Sequence, residues 1–301
     1  MKILVTGATG LVGTALVRRL ASEGHTVCRL VRPQTKTGGG EAGAFDVAWN
    51  PENGELAGAG VGPDAVVNLA GASIAGGRWT AARKELLRSS RVDTTRALVN
   101  ALAKMNARPR VLISASAIGY YGNRGDELLT EESAAGTDFL ARIAKEWETE
   151  ALTAEALGIR VVLARFGIIL AKEGGALKQM MIPFRFGVGG KIGNGKQWMS
   201  WVALEDVVSI LRLAIESNAV LGAVNVVAPE PVTNAEFTKE LAKAMHRPAL
   251  FPAPALALRL AMGEMADALL LSSQRVIPEK LKRLNHKFKY AELAPALGNA
   301  I

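Results

Sequence analysis

The chain has 301 residues, of which 49% are hydrophobic and 21% are charged. This composition is typical of a globular protein with a large core, and it excludes the collagen-like, coiled-coil and disulfide-scaffold classes. The single cysteine, Cys28, excludes an intrachain disulfide and a cysteine-based zinc site. Its apolar neighbours favour a core position over a role as a nucleophile.

The formal net charge of +8 favours an anionic partner such as nucleic acid, an acidic membrane surface or a phosphorylated small molecule. Scattered cations and an aromatic content of only 5% argue against nucleic acid. The chain opens on a strand pattern rather than a secretory leader, and Arg259, Glu264 and Asp267 interrupt the apolar stretch 251–271. We therefore expect a cytoplasmic protein without a membrane partner, in which 251–271 forms a packed amphipathic helix.

Apolar runs alternate with helical patterns along the first 165 residues. In chain order they predict a strand over 3–5, a helix over 11–22, strands over 26–31, 45–49 and 65–69, a helix over 92–105, a strand over 111–114, a helix over 138–157 and a strand over 160–165. Strands that are apolar on both faces and separated by helices indicate a parallel sheet covered on both sides. The expected fold class is therefore α/β, with a Rossmann-type doubly wound parallel sheet.

The pattern changes after Gly167, where glycine-rich loops separate helical patterns over 205–215 and 234–245. Pro248, Pro252 and Pro254 then introduce a last, mostly helical segment. We expect a first domain over 1–225 that contains the parallel sheet, with a substrate-side insertion over about 171–203. A smaller, mostly helical subdomain over 226–301 would complete the substrate crevice.

A glycine-rich turn joins the first predicted strand to the first predicted helix. It reads Thr6-Gly7-Ala8-Thr9-Gly10-Leu11-Val12-Gly13. In this pattern the first glycine permits a tight turn, the second lets backbone N–H groups approach a pyrophosphate, and the third allows close helix–strand packing. Because the turn follows a strand and opens a helix, it predicts a dinucleotide site, the alternative being a glycine-rich turn without a ligand.

The end of the second predicted strand indicates which dinucleotide is bound. NAD sites place an acid there for the ribose hydroxyls, whereas NADP sites place an arginine for the 2′-phosphate. The segment after Val31 has no acid before Glu41 and begins with Arg32. The sequence therefore predicts NADP(H), with Arg32 as the main contact and Lys36 as a weaker one. The alternative is that Arg32 is only a solvated side chain.

Several motifs in order resemble those of one family. They are Thr6-Gly7-x-x-Gly10-x-x-Gly13, Asn68-Leu69-Ala70-Gly71, Arg78-Trp79-Thr80, Ser90-Arg91-Val92-Asp93, Ser114-Ala115-Ser116 before Tyr120-Tyr121-Gly122, Arg165-Phe166-Gly167-Ile168-Ile169-Leu170, Pro183-Phe184-Arg185 and Gly195-Lys196-Gln197-Trp198. The chain resembles the extended short-chain dehydrogenases/reductases of the NAD-dependent epimerase/dehydratase group. Within it, the chain is most similar to an atypical subfamily of epimerase family proteins that end in a domain of unknown function, here over about 250–298.

The resemblance implies NADP(H) contacts at motif positions along the first 170 residues. They are Gly7, Thr9, Gly10, Leu11, Val12, Gly13, Val31, Arg32, Leu69, Ala70, Gly71, Arg91, Ser114 and Ile169. Two positions depart from the family pattern: Leu86 stands where members tend to have a glutamate, and Ala203 where they have a histidine. We carry over no contact at either position.

The catalytic pair of active short-chain dehydrogenases is a tyrosine followed four residues later by a lysine. Only Tyr120, Tyr121 and Tyr290 exist, and none of them has a lysine at that spacing. Ser116 with Tyr120 or Tyr121 could still supply hydroxyl groups near the nicotinamide, at the end of the strand over 111–114. The alternative is that both tyrosines are packing residues with satisfied hydroxyls. The histidines are too far apart to suggest a metal site, so no metal is expected.

Two functions remain compatible with these residues. The first is an NADP(H)-dependent oxidoreductase or epimerase-like enzyme acting on an unknown small carbonyl or hydroxyl substrate. The second is a non-catalytic NADP(H)-binding sensor or partner-binding regulator, which would explain a complete cofactor turn without the usual tyrosine–lysine pair. Nucleic-acid binding driven by the basic charge is a third and weaker idea.

Overall fold

The fold is built on a sheet of parallel strands whose side chains are buried on both faces. The computed structural model describes residues 1–33, 42–52 and 62–301. Within these ranges the strands are β1 (Lys2–Thr6), β2 (Thr26–Val31), β3 (Ala44–Ala48), β4 (Ala65–Asn68), β5 (Val111–Ala117), β6 (Leu128–Leu129), β7 (Arg160–Phe166), β8 (Ile168–Leu170), β9 (Trp198–Met199), β10 (Trp201–Ala203), β11 (Gly222–Val226), β12 (Val232–Thr233) and β13 (Arg275–Val276). Seven of them form the main sheet, in the order β11-β7-β5-β4-β1-β2-β3.

The helices follow the strands in alternation through the first half of the chain. They are α1 (Leu11–Ser22), α2 (Ala81–Ser89), α3 (Val92–Ala103), α4 (Phe139–Leu152), α5 (Gly175–Arg185), α6 (Leu204–Glu216), α7 (Asn234–Ala244), α8 (Ala255–Met262), α9 (Glu264–Ala266), α10 (Glu279–Arg283) and α11 (Leu293–Ala300). Side chains cap several of them: Asp138 accepts from the Ala141 N–H at the start of α4, and Thr233 with Glu236 forms a capping box on α7.

Helices cover the sheet on both faces, as the apolar runs predicted. On one face Ile3 and Val5 pack with Leu16 of α1 and Leu211 of α6. On the other face Leu4 of β1 and Leu112 of β5 pack with residues of α3 that include Leu98 and Leu102. Alternate residues of one strand thus enter opposite cores, which is why the strands are continuous apolar runs. The predicted doubly wound α/β fold is confirmed.

Cys28 lies within this core with no exposed surface, as predicted. Burial raises the pKa of its thiol to about 11. The thiol therefore stays protonated at neutral pH and acts as a small apolar group.

A third cluster lies beyond the sheet and joins distant parts of the chain. Phe184 of α5, Trp201 of β10, Phe237 of α7 and Leu297 of α11 are its large buried members. Residues of the predicted insertion over 171–203 therefore pack with the last helix. We call this part of the molecule the C-terminal lobe.

The prediction of a packed amphipathic helix over 251–271 is wrong. The segment contains α8, α9 and a π-helical turn over Asp267–Leu271, and α8 has no buried residue. Leu256 and Leu260 are 68% and 75% exposed. Gly263, with a φ of 61°, separates α8 from α9 and prevents one continuous helix. In the described ranges, no helix is long and apolar enough to cross a membrane.

Candidate dinucleotide site at the carboxyl edge of the sheet

The turn between β1 and α1 depends on backbone contacts that only glycine allows. Gly7 has a φ of 63°, and a Cβ there would lie 2.5 Å from the carbonyl oxygen of Leu69. A Cβ on Gly13 would lie 2.2 Å from the carbonyl oxygen of Gly7. Gly10 differs, because its Cβ would meet only the Gly7 oxygen, at 3.3 Å. Gly7 and Gly13 are therefore required for close backbone packing, whereas Gly10 leaves open space in front of the N-terminus of α1.

The first turn of α1 supplies unpaired backbone donors to that space. Gly10 is the N-cap residue and offers no side chain to the helix. The first N–H groups of a helix have no acceptor within it, and the helix dipole adds partial positive charge at this end. Thr9 and Gly10 are exposed, Leu11 and Val12 are half-buried, and the first turn has no acidic residue. These features fit the pyrophosphate of a dinucleotide.

A groove of about 1230 Å³ opens from the turn. It is lined by Thr9, Gly10 and Leu11, by the outer face of α1, by the segment 171–175, by α6 and by C-terminal residues that include Lys287 and Asn299. Gly175 approaches Leu11 closely, since a Cβ on Gly175 would lie 3.1 Å from Cδ2 of Leu11. Ile169 of β8 lies beside the same loop. The structure thus brings Ile169 to the end of the sheet that carries the glycine turn.

Polar side chains link the carboxyl ends of three neighbouring strands. Thr6, Asn68 and Ser114 stand side by side in the register of β1, β4 and β5, and each is at most 1% exposed. The Thr6 hydroxyl donates to Oδ1 of Asn68 at 2.7 Å. Nδ2 of Asn68 donates to the hydroxyls of Thr95 at 2.8 Å and of Ser114 at 3.4 Å. The hydroxyl of the sequence-predicted Ser114 is therefore an acceptor inside the protein.

The same cluster positions the segment that follows β4. The backbone N–H groups of Leu69 and Ala70 donate to the Thr6 hydroxyl oxygen at 3.1 and 3.2 Å. These bonds hold Leu69, Ala70 and the exposed Gly71 beside the turn that Gly7 begins. Sequence reasoning identified the segment but missed Thr6 and Thr95, whose partners are 27 or more positions away.

Arg32 lies directly after β2 and is exposed, whereas Val31 is 7% exposed. Across the described ranges, no ion pair involves Arg32. Its guanidinium is therefore available to an anion at the carboxyl edge of the sheet. Lys36, the weaker sequence candidate, lies outside the described residues.

A second guanidinium lies beside the end of β4. Arg91 donates to the carbonyl oxygens of Leu87 at 3.0 Å and Ala72 at 2.9 Å. Burial, together with the nearby positive charge of Arg83, lowers the pKa of Arg91 to about 10. Among the described residues neither arginine has a carboxylate partner, and Nε of Arg83 is buried without an acceptor. No local sequence pattern pointed to Arg83.

The predicted catalytic hydroxyls of Ser116 and Tyr121 belong to a buried network. Ser116 is 2% exposed and donates to a carboxylate oxygen of Glu148 at 2.6 Å. That carboxylate also accepts two N–H groups of Arg165, both at 2.8 Å. The Tyr121 hydroxyl accepts from Arg165 at 2.9 Å and donates to Asn225 at 2.7 Å. Burial raises the pKa of Tyr121 to about 12.

Tyr120 differs from Tyr121 in its surroundings. It is half-buried, and in the described part of the chain its hydroxyl has no hydrogen-bond partner. The Arg165 guanidinium lies 3.5 Å from the centre of its ring. The hydroxyls of Ser116 and Tyr121 thus form hydrogen bonds within the protein, whereas the Tyr120 hydroxyl forms none with the described residues.

Helix α4 passes the tyrosines without presenting a lysine to them. A 3-10 turn over Ile118–Tyr121 carries both tyrosines. Leu140 lies against Gly119 of this turn, and Ala144 one helical turn later is buried. Lys145 is exposed to solvent. No lysine of α4 therefore stands beside Tyr120 or Tyr121.

Glu23, His25 and Glu216 come within 4.8 Å of one another and could in principle ligate a metal. Their charges are already balanced by the protein. Glu23 pairs with Arg19 at 2.6 Å and with Arg212 at 3.1 Å, and Glu216 pairs with Arg212 at 3.0 Å. We assign no metal to this cluster.

Comparison with known proteins identifies two matching regions. The model of the NAD dependent epimerase/dehydratase family matches residues 3–227, and a domain of unknown function, DUF1731, matches residues 253–300. The chain is similar to an epimerase family protein of Mycobacterium bovis, with 44% identity over 299 residues, 99% of this chain and 97% of the relative.

Two solved structures are similar over the full length of the chain. The human epimerase family protein SDR39U1, crystallised with NADPH, is 32% identical with a TM-score of 0.88, covering 100% of this chain and 99% of the human one. A nucleoside-diphosphate sugar epimerase of Corynebacterium glutamicum is 36% identical with a TM-score of 0.78. It matches 100% of this chain and 58% of its own.

The glycine contacts predict how the turn responds to one added methyl group. Gly13→Ala should lower the free energy of unfolding by about 1–3 kcal/mol, because the new Cβ meets backbone rather than a movable side chain. Gly298→Ala is the matched control: apart from its neighbours in α11, no atom of the described residues lies within 4 Å of its Cβ position, so it should raise stability by about 0.5–1 kcal/mol. Urea unfolding of both variants measures the difference. Equal stability of the two variants would contradict the packing role of Gly13.

Proposed function

The chain belongs to the NAD dependent epimerase/dehydratase family, and we propose that it binds NADP(H) at the carboxyl edge of its sheet. One observation carries this proposal: the open N-terminus of α1 lies at the same edge as Arg32, after β2, whose guanidinium has no ion-pair partner within residues 1–33, 42–52 and 62–301. The NADPH in the human structure supports the choice of coenzyme.

Each part of the edge has a role in this proposal. The backbone of Thr9–Gly13 binds the pyrophosphate, and Arg32 binds the 2′-phosphate. Val31 and the segment 69–71 line the adenosine side, and Ile169 lies at the other end of the site. Ser114 supports the site indirectly, because its hydroxyl accepts a hydrogen bond from Asn68.

Arg91 supplies a further cation to the bound coenzyme. A buried guanidinium without a carboxylate partner costs free energy, and the lowered pKa of Arg91 reflects that cost. An anionic group of the coenzyme beside Gly71 would offset it, since a Cβ on Gly71 would lie 3.2 Å from Cζ of Arg91. The cluster of Arg91 and Arg83 is thus suited to an anion.

We further propose that the protein is a cytoplasmic oxidoreductase or epimerase acting on a small carbonyl or hydroxyl substrate. When bound, the coenzyme supplies or accepts a hydride. Tyr120 is the group of this chain best suited to donate a proton to the substrate oxygen, because its hydroxyl has no partner in the part of the chain that the structure describes. Ser116 and Tyr121 instead position the 3-10 turn through Glu148, Arg165 and Asn225.

Arg165 takes the place of the usual lysine in this mechanism. Its guanidinium, 3.5 Å from the ring centre, would stabilise negative charge that develops on the Tyr120 oxygen. Glu148 partly balances that charge, so we expect slower proton transfer than a free lysine ammonium would give.

The chain would carry out these roles with two regions. We propose an epimerase-like domain over 1–225, with its substrate-side insertion over about 171–203, and a C-terminal subdomain over 226–301 that includes the DUF1731 match. The C-terminal lobe would then form the far wall of the substrate crevice.

A non-catalytic NADP(H) sensor is the second candidate function. The engagement of two of the three candidate hydroxyls inside the protein favours it. A panel of aldehydes, ketones and nucleotide-sugars, monitored by NADPH absorbance or by epimer formation, separates the two functions. Turnover above background supports the enzyme, and its absence together with NADPH-dependent capture of a partner supports the sensor.

Removal of the Arg32 charge tests the coenzyme assignment. Arg32→Gln should weaken NADPH binding by about 10–100-fold and leave NADH binding within about twofold, because only NADPH carries the 2′-phosphate. Titration of the intrinsic tryptophan fluorescence or calorimetry measures both affinities. Arg108→Gln, at an exposed position before β5, is the control and should change neither. An equal loss of affinity for NADPH and NADH would show that Arg32 does not bind the 2′-phosphate.

Removal of the hydroxyl should lower activity at Tyr120 and stability at Tyr121. Tyr120→Phe should lower kcat on any substrate found in the panel by about 10²–10⁴-fold, with unchanged stability and NADPH affinity. Tyr121→Phe should lower the free energy of unfolding by about 1–3 kcal/mol, because Arg165 and Asn225 lose a buried partner. Steady-state kinetics and urea unfolding distinguish them. Full activity of Tyr120→Phe would remove this residue from the mechanism.

A further inference from the structure

A second pocket lies in the C-terminal lobe, away from the glycine turn. It has a volume of about 830 Å³ and lies between the second half of α7, residue 191 and the segment 246–252. None of its lining residues belongs to the turn, to the strand ends or to the arginines described above. Its volume is in the range of pockets that bind small molecules and coenzymes.

The lining carries positive charge without any carboxylate. Lys191, Lys239, Lys243 and Arg247 line the pocket together with the imidazole of His246. Lys243 pairs with Glu240, which lies outside the lining, at 2.7 Å. Within the described ranges, Lys191, Lys239 and Arg247 take part in no ion pair. We call this feature the basic pocket.

Local structure places these cations around one space. Lys239 and Lys243 stand four residues apart, and therefore on one face of α7. The helix ends in a turn in which His246 has a φ of 53° and the Arg247 N–H donates to the carbonyl of Ala242, so that Arg247 returns toward the last turn of α7. The Lys191 side chain and the Cβ of Ala235 both lie beside Gly195.

Apart from Thr238, the rest of the lining is apolar. It consists of Ala235, Ala242, Pro248, Ala249, Leu250 and Pro252. Leu250 is 72% exposed. A ligand that matches both parts of the lining has an anionic group for the cations and an apolar body for these side chains.

Like charges at this spacing on a helix are destabilising, and among the described residues Glu240 offsets the charge of Lys243 but no acid pairs with Lys239. We propose that the basic pocket binds a phosphorylated small molecule with an adjoining apolar group, independently of the dinucleotide site. Two or three cations contact the phosphate, because ammonium and guanidinium groups are the usual partners of phosphate oxygens. The apolar body covers Leu250 and the prolines and thereby removes exposed apolar surface from water.

The test uses the full-length protein and n-octyl phosphate as the probe, with binding measured by calorimetry. Inorganic phosphate and n-octyl glucoside separate the contributions of charge and apolar body. The test variant is Lys239→Gln/Lys243→Gln, and the matched control is Lys104→Gln/Lys282→Gln, which removes the same charge from exposed positions elsewhere. Circular dichroism and NADPH binding verify that both variants fold.

We expect n-octyl phosphate to bind the wild type more tightly than either inorganic phosphate or n-octyl glucoside. The affinity should fall about tenfold or more in the test variant and stay within about twofold in the control. Saturating NADPH should leave the affinity of the wild type for n-octyl phosphate unchanged. Equal binding by both variants, displacement of the probe by NADPH, or equal binding of the neutral glucoside would overturn the proposal.

Vesicles of phosphatidylglycerol identify the source of the phosphate. If they sediment the wild type but not the test variant, the natural phosphate is a lipid headgroup that the same cations bind. If only the soluble probe binds, it is a free phosphate ester. If neither the vesicles nor the probe binds the wild type, the pocket has no affinity for phosphorylated amphiphiles and the proposal is wrong.

Discussion

The contact of Gly13 with Gly7, and of Gly7 with the end of β4, is the constraint on which the candidate site depends. These backbones approach so closely that a side chain at either glycine would overlap with a carbonyl group. The contact sets α1 against the sheet and directs its free N–H groups toward the space in front of Gly10. The Thr6 hydroxyl extends the same constraint to β4, because it accepts from two successive backbone N–H groups there. Helix, turn and strand ends are therefore joined at one edge, which carries the proposed dinucleotide site.

A second constraint lies one strand away and limits what chemistry the edge can support. Glu148 and Arg165 form a buried pair, at 6% and 4% side-chain exposure, which also holds Ser116 and Tyr121. Breaking such a pair leaves a buried charge without a partner, so each member stabilises the arrangement of the others. Two of the three hydroxyls that the sequence suggested for catalysis are thus engaged in this network. Tyr120 has the same guanidinium over its ring, and its hydroxyl has no hydrogen-bond partner among the described residues.

Local patterns predicted the elements that position the site. Helix α1 begins at Leu11 and ends at Ser22, and β2 spans Thr26–Val31, both as predicted, because glycines bracket clear apolar periodicity. Helix α5 was not predicted, since it begins at a glycine and contains Pro183. The apolar content of 251–271 suggested burial, yet α8 lies on the surface. The network around Tyr121 could not be predicted from the sequence either, because the Tyr121 and Asn225 side chains, which are hydrogen-bonded to each other, are 104 positions apart. Such pairings arise from the way the chain folds back on itself and leave no local pattern.

Phosphorus NMR of NADPH mixed with the ligand-free protein tests the central claim most directly, because it reports on the pyrophosphate and the 2′-phosphate separately. We predict that the pyrophosphate resonances shift on binding and that the 2′-phosphate loses its last proton at a lower pH than in free NADPH, since a guanidinium favours the charged form. The account would be contradicted if neither set of resonances moved at millimolar concentrations of protein and coenzyme.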